Sequence, residues 1–134
     1  RKRTELALQT SERRLRAIID SEPECVKITT ATGELLDMNA AGLAMIEADS
    51  LEQVRGCQIA NLATDADRAG FLHALQQAAQ GKPTIYVHEV CGLKGTRRWL
   101  ESHAVPFPAL DGQSMQVLSV TRDISDPKRA ELAL

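Results

Sequence analysis

Near the end of the chain, residues 117–132 read VLSVTRDISDPKRAEL. The first five residues predict a half-buried strand, and the polar residues 122–126 predict a turn. Pro127 suits the first position of a helix, and Lys128 and Arg129 continue it as a charged segment. A strand that leads through a short turn into a helix can pass its own displacement to whatever follows. This arrangement is typical of a sensor and not of an enzyme.

Composition and charge limit the possible classes. Of the 134 residues, 43% are hydrophobic, which is enough for one core and one domain. Sixteen basic and 18 acidic residues give a net charge of -2, so we expect no nucleic acid partner. No apolar run approaches the roughly 20 residues that span a bilayer. We therefore expect no direct membrane contact and a cytoplasmic domain, although its parent protein could be membrane-anchored.

The first part of the chain has the pattern of an amphipathic helix. Residues 4–20 contain no Gly or Pro, and Leu8, Ser11, Leu15 and Ile18 recur at steps of three and four. Such a helix either packs on its own domain or forms the end of a coiled coil that joins a preceding domain. Both interpretations stay open at this point.

The remaining elements follow in a regular order. Pro23 ends the first helix, and Asn39 is a candidate N-cap for a short helix after the second strand. Strands are predicted at 25–29, 35–38, 84–91, 97–105 and 115–121, and helical segments at 40–46, 50–56, 59–62 and 67–80. Two strands, a helical insert and three further strands predict an α+β fold, with a five-stranded antiparallel sheet and the helices on one face.

Several short motifs, in this order, resemble those of the PAS domains of bacterial signalling proteins. They are Gly33, the run Asn39-Ala40-Ala41, Gly56, residues 94–101 (KGTRRWLE), Pro106, Asp111-Gly112, and residues 122–125 (RDIS) ahead of 128–131 (KRAE). Lys94 departs from the family, which commonly has Asp before this Gly. The resemblance runs from about Leu15 to Leu134. It implies a coiled-coil-like helix at 1–21, a PAS domain at 22–125 and the start of a C-terminal signalling helix at 126–134.

The predicted ligand pocket depends on the register of the last hairpin. A two-residue turn at Lys94-Gly95 pairs Leu93 with Thr96 and Val90 with Trp99. One face of the hairpin then carries Tyr86, His88, Val90, Trp99, Glu101 and His103, and the other Ile85, Val87, Glu89, Cys91, Leu100, Ser102 and Ala104. We assign the second set to the interior. The candidate pocket residues are Phe71, Leu75, Val87, Glu89, Leu100, Ser102 and Ser119.

Two of these residues, Glu89 and Ser102, are polar groups that could orient a small ligand in an apolar pocket. Alternatively, Glu89 is exposed to water or paired with Arg98. No feature of the sequence identifies the ligand.

The opposite face of the sheet predicts an interface. Trp99, Leu118 and Val120 would form an apolar strip there, together with Val90 and Tyr86. The face of the first helix that bears Leu8, Leu15 and Ile18 could cover the strip, from the same chain or from a second one. We prefer the second arrangement, a homodimer.

Arg122 and Asp123 lie at the turn before the last helix. Asp123 could accept backbone amides or pair with a basic side chain, and so set the angle of that helix. The alternative is simple capping by Ser125 or Asp126.

The chain carries no established cofactor or catalytic motif. Light-sensing flavin relatives carry a reactive Cys a few residues after the equivalent Gly. Here Cys57 follows Gly56 directly, so the Cys at that later position is missing, and we expect no photoactive flavin. Haem-binding relatives use a His on the long helix; His73 lies there but about a turn late, so we do not expect haem. Cys25, Cys57 and Cys91 are widely spaced, which favours reduced thiols and gives no metal site.

These features together predict a non-catalytic sensory domain. A small ligand, a dimer or both would transmit a signal to a covalently linked output domain, with a histidine kinase preferred. The alternatives are a ligand-free dimerisation spacer and the sensory domain of a diguanylate cyclase.

Overall fold

The computed structural model describes residues 2–133. The helices are α1 (Lys2–Ser21), α2 (Ala40–Met45), α3 (Leu51–Val54), α4 (Asp65–Ala79) and α5 (Ser125–Ala133), with a 3-10 turn at Ile59–Leu62. The strands are β1 (Cys25–Thr30), β2 (Leu35–Met38), β3 (Thr84–Cys91), β4 (Arg97–Pro108) and β5 (Met115–Asp123). Arg1 and Leu134, which the predicted terminal segments include, lie outside the described residues.

The five strands form one antiparallel sheet in the order β2-β1-β5-β4-β3. The last strand is therefore central and pairs with both β1 and β4. Helices α2, α3 and α4 and the 3-10 turn lie between β2 and β3 in the chain. Helix α4 packs against β3, β4 and β5. The predicted α+β fold with a five-stranded antiparallel sheet is confirmed.

Asn39 fastens three elements together. Its Oδ1 accepts hydrogen bonds from Gly42 N at 3.0 Å, which caps α2 as predicted, and from Val26 N at 2.9 Å. Its Nδ2 donates to the carbonyl oxygens of Ile19 and Glu24. Asn39 is only 1% exposed, so all four bonds are shielded from water and hold the end of α1 against the domain.

A conventional apolar core fills the space between the sheet and α4. Leu35, Leu75, Ala78, Ala104 and Val117 are completely buried. Each large aliphatic side chain in such a position contributes roughly 1.5–3 kcal/mol of transfer free energy. This cluster accounts for the packing of α4 on the sheet.

The register of the β3–β4 hairpin differs from the prediction by one residue. Cys91 pairs with Arg97, and Gly92 N donates to Thr96 O at 2.8 Å, so the loop has three residues and not two. Gly95 has φ 100°, the left-handed conformation that such a loop requires at its last position. A shift of one residue exchanges the two faces of β3 relative to those of β4. The predicted inward placement of Val87 and Glu89 is therefore wrong.

The faces of β3 are therefore exchanged. Tyr86, His88 and Val90 point towards the helices, and Ile85, Val87, Glu89 and Cys91 lie on the outer face. Val87 is 45% exposed. The predictions for β4 hold: Leu100, Ser102 and Ala104 are buried beneath the helices, while Trp99, Glu101 and His103 lie outside.

The polarity of β1 is opposite to that of an ordinary half-buried strand. Cys25, Lys27 and Thr29 are buried, whereas Val26 and Ile28 are only half-buried on the other face. In β5, the buried set includes Ser119 and Thr121, and Leu118 and Val120 face outwards. The middle of the sheet thus turns polar groups inwards and apolar groups outwards.

Candidate functional site

A buried cavity with polar walls

A small cavity lies between the inner face of the sheet and the helices. Its volume of about 20 Å³ gives room for about one water molecule. Most of its lining is apolar and comes from Met38, Met45, Ile46, Ile59, Leu62, Phe71, Val90 and Leu100. Cys25, Lys27, His88 and Thr121 complete the wall. The cavity therefore combines an apolar part with a group of polar side chains.

Lys27 brings a positive charge into this interior. The residue is 4% exposed, and its Nζ donates a hydrogen bond to Thr121 Oγ1 at 3.1 Å. Nζ also lies 5.9 Å from the centre of the Phe71 ring, at the limit of a cation–π contact. Among the described side chains, no carboxylate forms an ion pair with Lys27. A buried charge is normally paired, so this arrangement is unusual.

The hydrogen bond from Lys27 begins a row across the sheet. Thr121 Oγ1 lies 2.8 Å from Ser102 Oγ, which in turn lies 3.0 Å from His88 Nε2. The four groups come from β1, β5, β4 and β3, because residues that face inwards on paired strands are neighbours in space. The row therefore links four strands through side chains alone.

Four buried polar atoms near this row have no partner within the described part of the chain. They are Thr29 Oγ1, Tyr86 OH, His88 Nδ1 and Ser119 Oγ. Native proteins leave few buried polar atoms unpaired, and each such atom calls for an explanation. Their concentration on the inner face of one sheet marks this region as the candidate site.

His88 is uncharged in this environment. Burial lowers its pKa to about 3, and the positive charge of Lys27 acts in the same direction. The ring stacks on Tyr86 with centroids 5.0 Å apart and meets Phe71 edge-on at the same distance. At neutral pH the imidazole therefore carries one hydrogen, on one of its two nitrogens.

Positions of the predicted residues

The predicted pocket residues fall into three groups. Phe71 and Leu100 line the cavity. Ser102, Ser119 and Leu75 are completely buried on the same side of the sheet, with Ser102 inside the polar row and Leu75 in the apolar core beside it. Val87 and Glu89 lie on the outer face and take no part. Whether any of these residues contacts a ligand stays a prediction.

Sequence reasoning missed Lys27, His88 and Thr121. A Lys between Val26 and Ile28 is ordinarily placed on the solvent side, since the apolar neighbours then face the core. The only available signal was the placement of Cys25 and Thr29 at the same parity as Lys27. His88 was excluded by the one-residue register error alone.

The junction with the last helix

Asp123 and Arg98 join the sheet to α5. Asp123 Oδ1 accepts the Ser125 amide at 2.9 Å, and its Oδ2 lies 3.5 Å from Arg98 Nε. Both contacts were anticipated for Asp123 from its position. Arg98 also donates from Nη1 to the carbonyl oxygen of Met45 at 2.7 Å, and Met45 lines the cavity. One side chain thus spans the cavity wall and the base of α5.

Ser125 does not act as a simple cap. The helix begins at Ser125 itself, and its Oγ accepts a hydrogen bond from the Trp99 amide at 3.0 Å. Ile124 N donates to Trp99 O at 2.9 Å, so the start of α5 is fastened to β4 from both sides. Lys128 Nζ lies 5.1 Å from the centre of the Trp99 indole. Arg122 is exposed and pairs with Glu101 at 3.1 Å.

The outer face and the first helix

The outer face of the sheet carries exposed apolar side chains. Ile85 is 66% exposed, and Val105 and Val120 are more than a third exposed. Leu118 is half-buried and borders a groove with Ile19 and Phe107. Trp99 is also half-buried, whereas Val90 and Tyr86, predicted for this strip, lie on the inner face because of the register shift.

Helix α1 contacts the domain only near its end. Arg16 pairs with Asp37 at 3.0 Å, and Ile19 accepts the bond from Asn39. The predicted seam residues Leu8, Leu15 and Ile18 are each more than half exposed. Among the described residues, nothing buries these three side chains within one chain.

Other candidate groups

Two of the remaining candidates, His73 and Cys57, are not part of the cavity lining. His73 is exposed on α4, and Cys57 is exposed after α3. The three cysteines form no disulfide, and burial raises the pKa of the Cys25 thiol. Within residues 2–133, no cluster of His, Cys, Asp and Glu has the geometry of a metal site. No helix in the described range has the length and apolar character needed to span a membrane.

Similarity to known proteins

Solved structures with the same fold include several sensory proteins. The PAS domain of an HTR-like protein from Haloarcula marismortui superimposes with a TM-score of 0.80, at 23% identity over 92% of this chain and 100% of that one. A domain of a sensory box sensor histidine kinase/response regulator from Geobacter sulfurreducens gives 0.69, at 22% identity over 87% and 96%. The PAS domain of nitrogen regulation protein NR(II) from Vibrio parahaemolyticus gives 0.65, at 16% identity over 81% and 96%.

The family model described as PAS fold matches residues 19–129, which is most of the chain. The chain belongs to the PAS family, as the sequence motifs suggested. No curated protein matches it significantly. The match begins within the end of α1 and stops within α5, so the proposed division at 1–21, 22–125 and 126–134 stays a prediction.

Proposed function

We propose that the chain is the sensory domain of a signal-transduction protein, and that it binds a small ligand in the cavity and signals through α5. The observation that supports this function is the polar row Lys27–Thr121–Ser102–His88 beneath α4, with unpaired buried atoms beside it. The unpaired buried atoms cost free energy, so packing alone does not favour them. A ligand that forms hydrogen bonds with these atoms would remove this free-energy cost on binding.

The route to an output domain runs through β4 and β5. Thr121 belongs to the cavity wall, and Asp123 lies two residues later on the same strand. Arg98 holds both Met45 O at the cavity and Asp123 at the base of α5. A ligand that binds one arrangement of these contacts more tightly than another would shift the position of α5. A histidine kinase is the preferred output, in keeping with the kinase among the similar structures.

Native mass spectrometry of the purified chain tests the ligand. We expect a small extra mass that disappears when the same sample is denatured. Absence of an adduct from protein purified under gentle conditions, with no stabilisation by any member of a metabolite library, would favour the ligand-free spacer. The small cavity volume is the observation that supports that alternative.

We also propose a homodimer, in which the seam residues of α1 and the apolar outer face of the sheet are covered by a second copy. A charge in the seam should separate the subunits, so Ile18→Glu should be monomeric by light scattering. Leu110→Glu is the matched control, because Leu110 is a fully exposed apolar residue in the β4–β5 turn. A dimer of unchanged stability in Ile18→Glu would refute this interface. A cytoplasmic location and a diguanylate cyclase as the alternative output stay predictions.

A further inference from the structure

The chemistry of its members allows one continuous order of donors and acceptors along the polar row, which begins at Lys27. Lys27 carries only donor hydrogens, so Thr121 Oγ1 must accept from it. Thr121 then has one hydrogen of its own to give, and Ser102 Oγ at 2.8 Å accepts it. Ser102 passes its hydrogen on to His88 Nε2. This is the order in which each hydroxyl of the row both accepts and donates.

The consequence is an excess of donors at the cavity. In this order His88 Nε2 accepts from Ser102, so the ring hydrogen is on Nδ1, which has no partner among the described residues. Lys27 retains two further hydrogens beyond the one that it gives to Thr121. Both residues are more than nine-tenths buried and line the same cavity. A positive charge and unpaired N–H groups call for an anionic acceptor.

The rest of the lining is apolar and adaptable. Met38 and Met45 have flexible unbranched side chains that can change rotamer to admit a larger group. Met45 and Leu62 are the half-buried members of the lining, so they mark the side on which the cavity approaches solvent. A ligand with a charged end at Lys27 would extend towards these two residues.

We propose that the cavity binds a small organic acid, with its carboxylate between Lys27 Nζ and His88 Nδ1 and its apolar body directed towards Met45 and Leu62. This assignment rests on the proposed sensory function and adds the chemical class of the ligand. The carboxylate would occupy the cavity, whose volume of about 20 Å³ suits a group of about the size of one water molecule. The apolar body would displace the methionine side chains.

Calorimetry and thermal unfolding of the chain at pH 7 test the assignment with acetate, butyrate, hexanoate and octanoate. Hexanamide is the neutral comparison for hexanoate. We expect affinity to rise with chain length as far as the cavity can expand, and hexanoate to bind at least tenfold more tightly than hexanamide. Equal binding of the acid and the amide would overturn the proposal. A response to chloride equal to that of every carboxylate would overturn the organic part.

Substitutions locate the site. Lys27→Met keeps an unbranched side chain, one atom shorter than that of Lys, without its charge, and should weaken hexanoate binding at least tenfold. Lys82→Met, in the exposed turn after α4, is the matched control and should bind normally. His88→Gln offers a nitrogen or oxygen to Ser102 but removes the Nδ1 donor, and it provides a second test if Lys27→Met does not fold. Unchanged binding in both variants would refute the assignment.

The outcomes separate this inference from the function on which it rests. A neutral adduct in native mass spectrometry, together with no binding of carboxylates, would refute the acid and leave a ligand sensor. No adduct, no carboxylate binding and no stabilisation by neutral compounds would refute both.

Discussion

The stability of this domain should fall steeply between pH 7 and pH 5 because of His88. In the unfolded chain the pKa of a histidine is about 6.5. In the folded protein, burial and the nearby charge of Lys27 lower the pKa of His88 to about 3. Between these two values the unfolded state binds a proton that the folded state does not. The part of the free energy of unfolding that depends on a neutral His88 is therefore complete above pH 6.5 and is lost as the pH falls towards 3.

The magnitude follows from the two pKa values. At pH 5 almost every unfolded chain has bound the proton, and almost no folded chain has. The free energy of unfolding should drop by about 2 kcal/mol between pH 7 and pH 5, and by about 4 kcal/mol between pH 7 and pH 3. The first figure is insensitive to the folded pKa, because any value below about 4 gives nearly the same loss at pH 5.

Urea unfolding at pH 7 and pH 5, at equal ionic strength, measures this loss. In His88→Gln the difference between the two pH values should shrink by about 2 kcal/mol, because Gln does not titrate. His73→Gln removes an exposed histidine from α4 and should retain the wild-type difference. If His88→Gln lost as much stability at pH 5 as the wild type, the buried neutral imidazole would be refuted.

Three further substitutions test the packing and the junction. Gly42→Ala would place a Cβ 2.5 Å from Met38 Cγ and 2.7 Å from Cys25 Sγ, so it should lower the free energy of unfolding in urea by about 1–3 kcal/mol. Gly70→Ala is the control: its Cβ would meet open space, and it should raise the free energy of unfolding by about 0.5–1 kcal/mol. Asn39→Asp keeps the two acceptor bonds but loses the donors to Ile19 O and Glu24 O, and should cost about 1–3 kcal/mol while raising protease sensitivity near residue 20. Arg98→Met should speed amide exchange at residues 123–128, while Arg97→Met, an exposed neighbour, should not; equal exchange in both would contradict the proposed junction.

The overall fold could be predicted from the sequence because its signals are local. Asn39 can be recognised as an N-cap from the local sequence alone. The turn residues and strand lengths likewise place each element without knowledge of its neighbours in space. The faces of β4 were also predicted correctly, since Leu100 and Ala104 share a parity that suits a core. Elements defined by nearby residues were therefore recovered.

Phe71, Leu100 and Ser102 were predicted for the candidate site and lie there. Its two nitrogen-bearing side chains, Lys27 and His88, could not be predicted, because they depend on a single loop residue and on an inverted strand. Lys94-Gly95 fits both a two-residue and a three-residue loop, and only the folded hairpin shows that Leu93 belongs to the loop. That one residue moves His88 inside and Glu89 outside. In β1, the apolar Val26 and Ile28 favour the opposite facing from the one observed. Pattern reasoning assumes an apolar interior, whereas part of this interior is the polar row Lys27–Thr121–Ser102–His88.

The polar interior is also the reason to prefer a binding site over a packing defect. The row draws one residue from each of four strands, and a buried charge without an ionic partner costs free energy in the free chain. If Lys27→Met raised the stability of the free chain while abolishing the response to an acid, the charge would serve the ligand at the expense of the fold. If the same substitution lowered stability with no ligand present, Lys27 would be a structural member of the row. The same unfolding experiment therefore shows whether the charge of Lys27 serves an acidic ligand or the free fold.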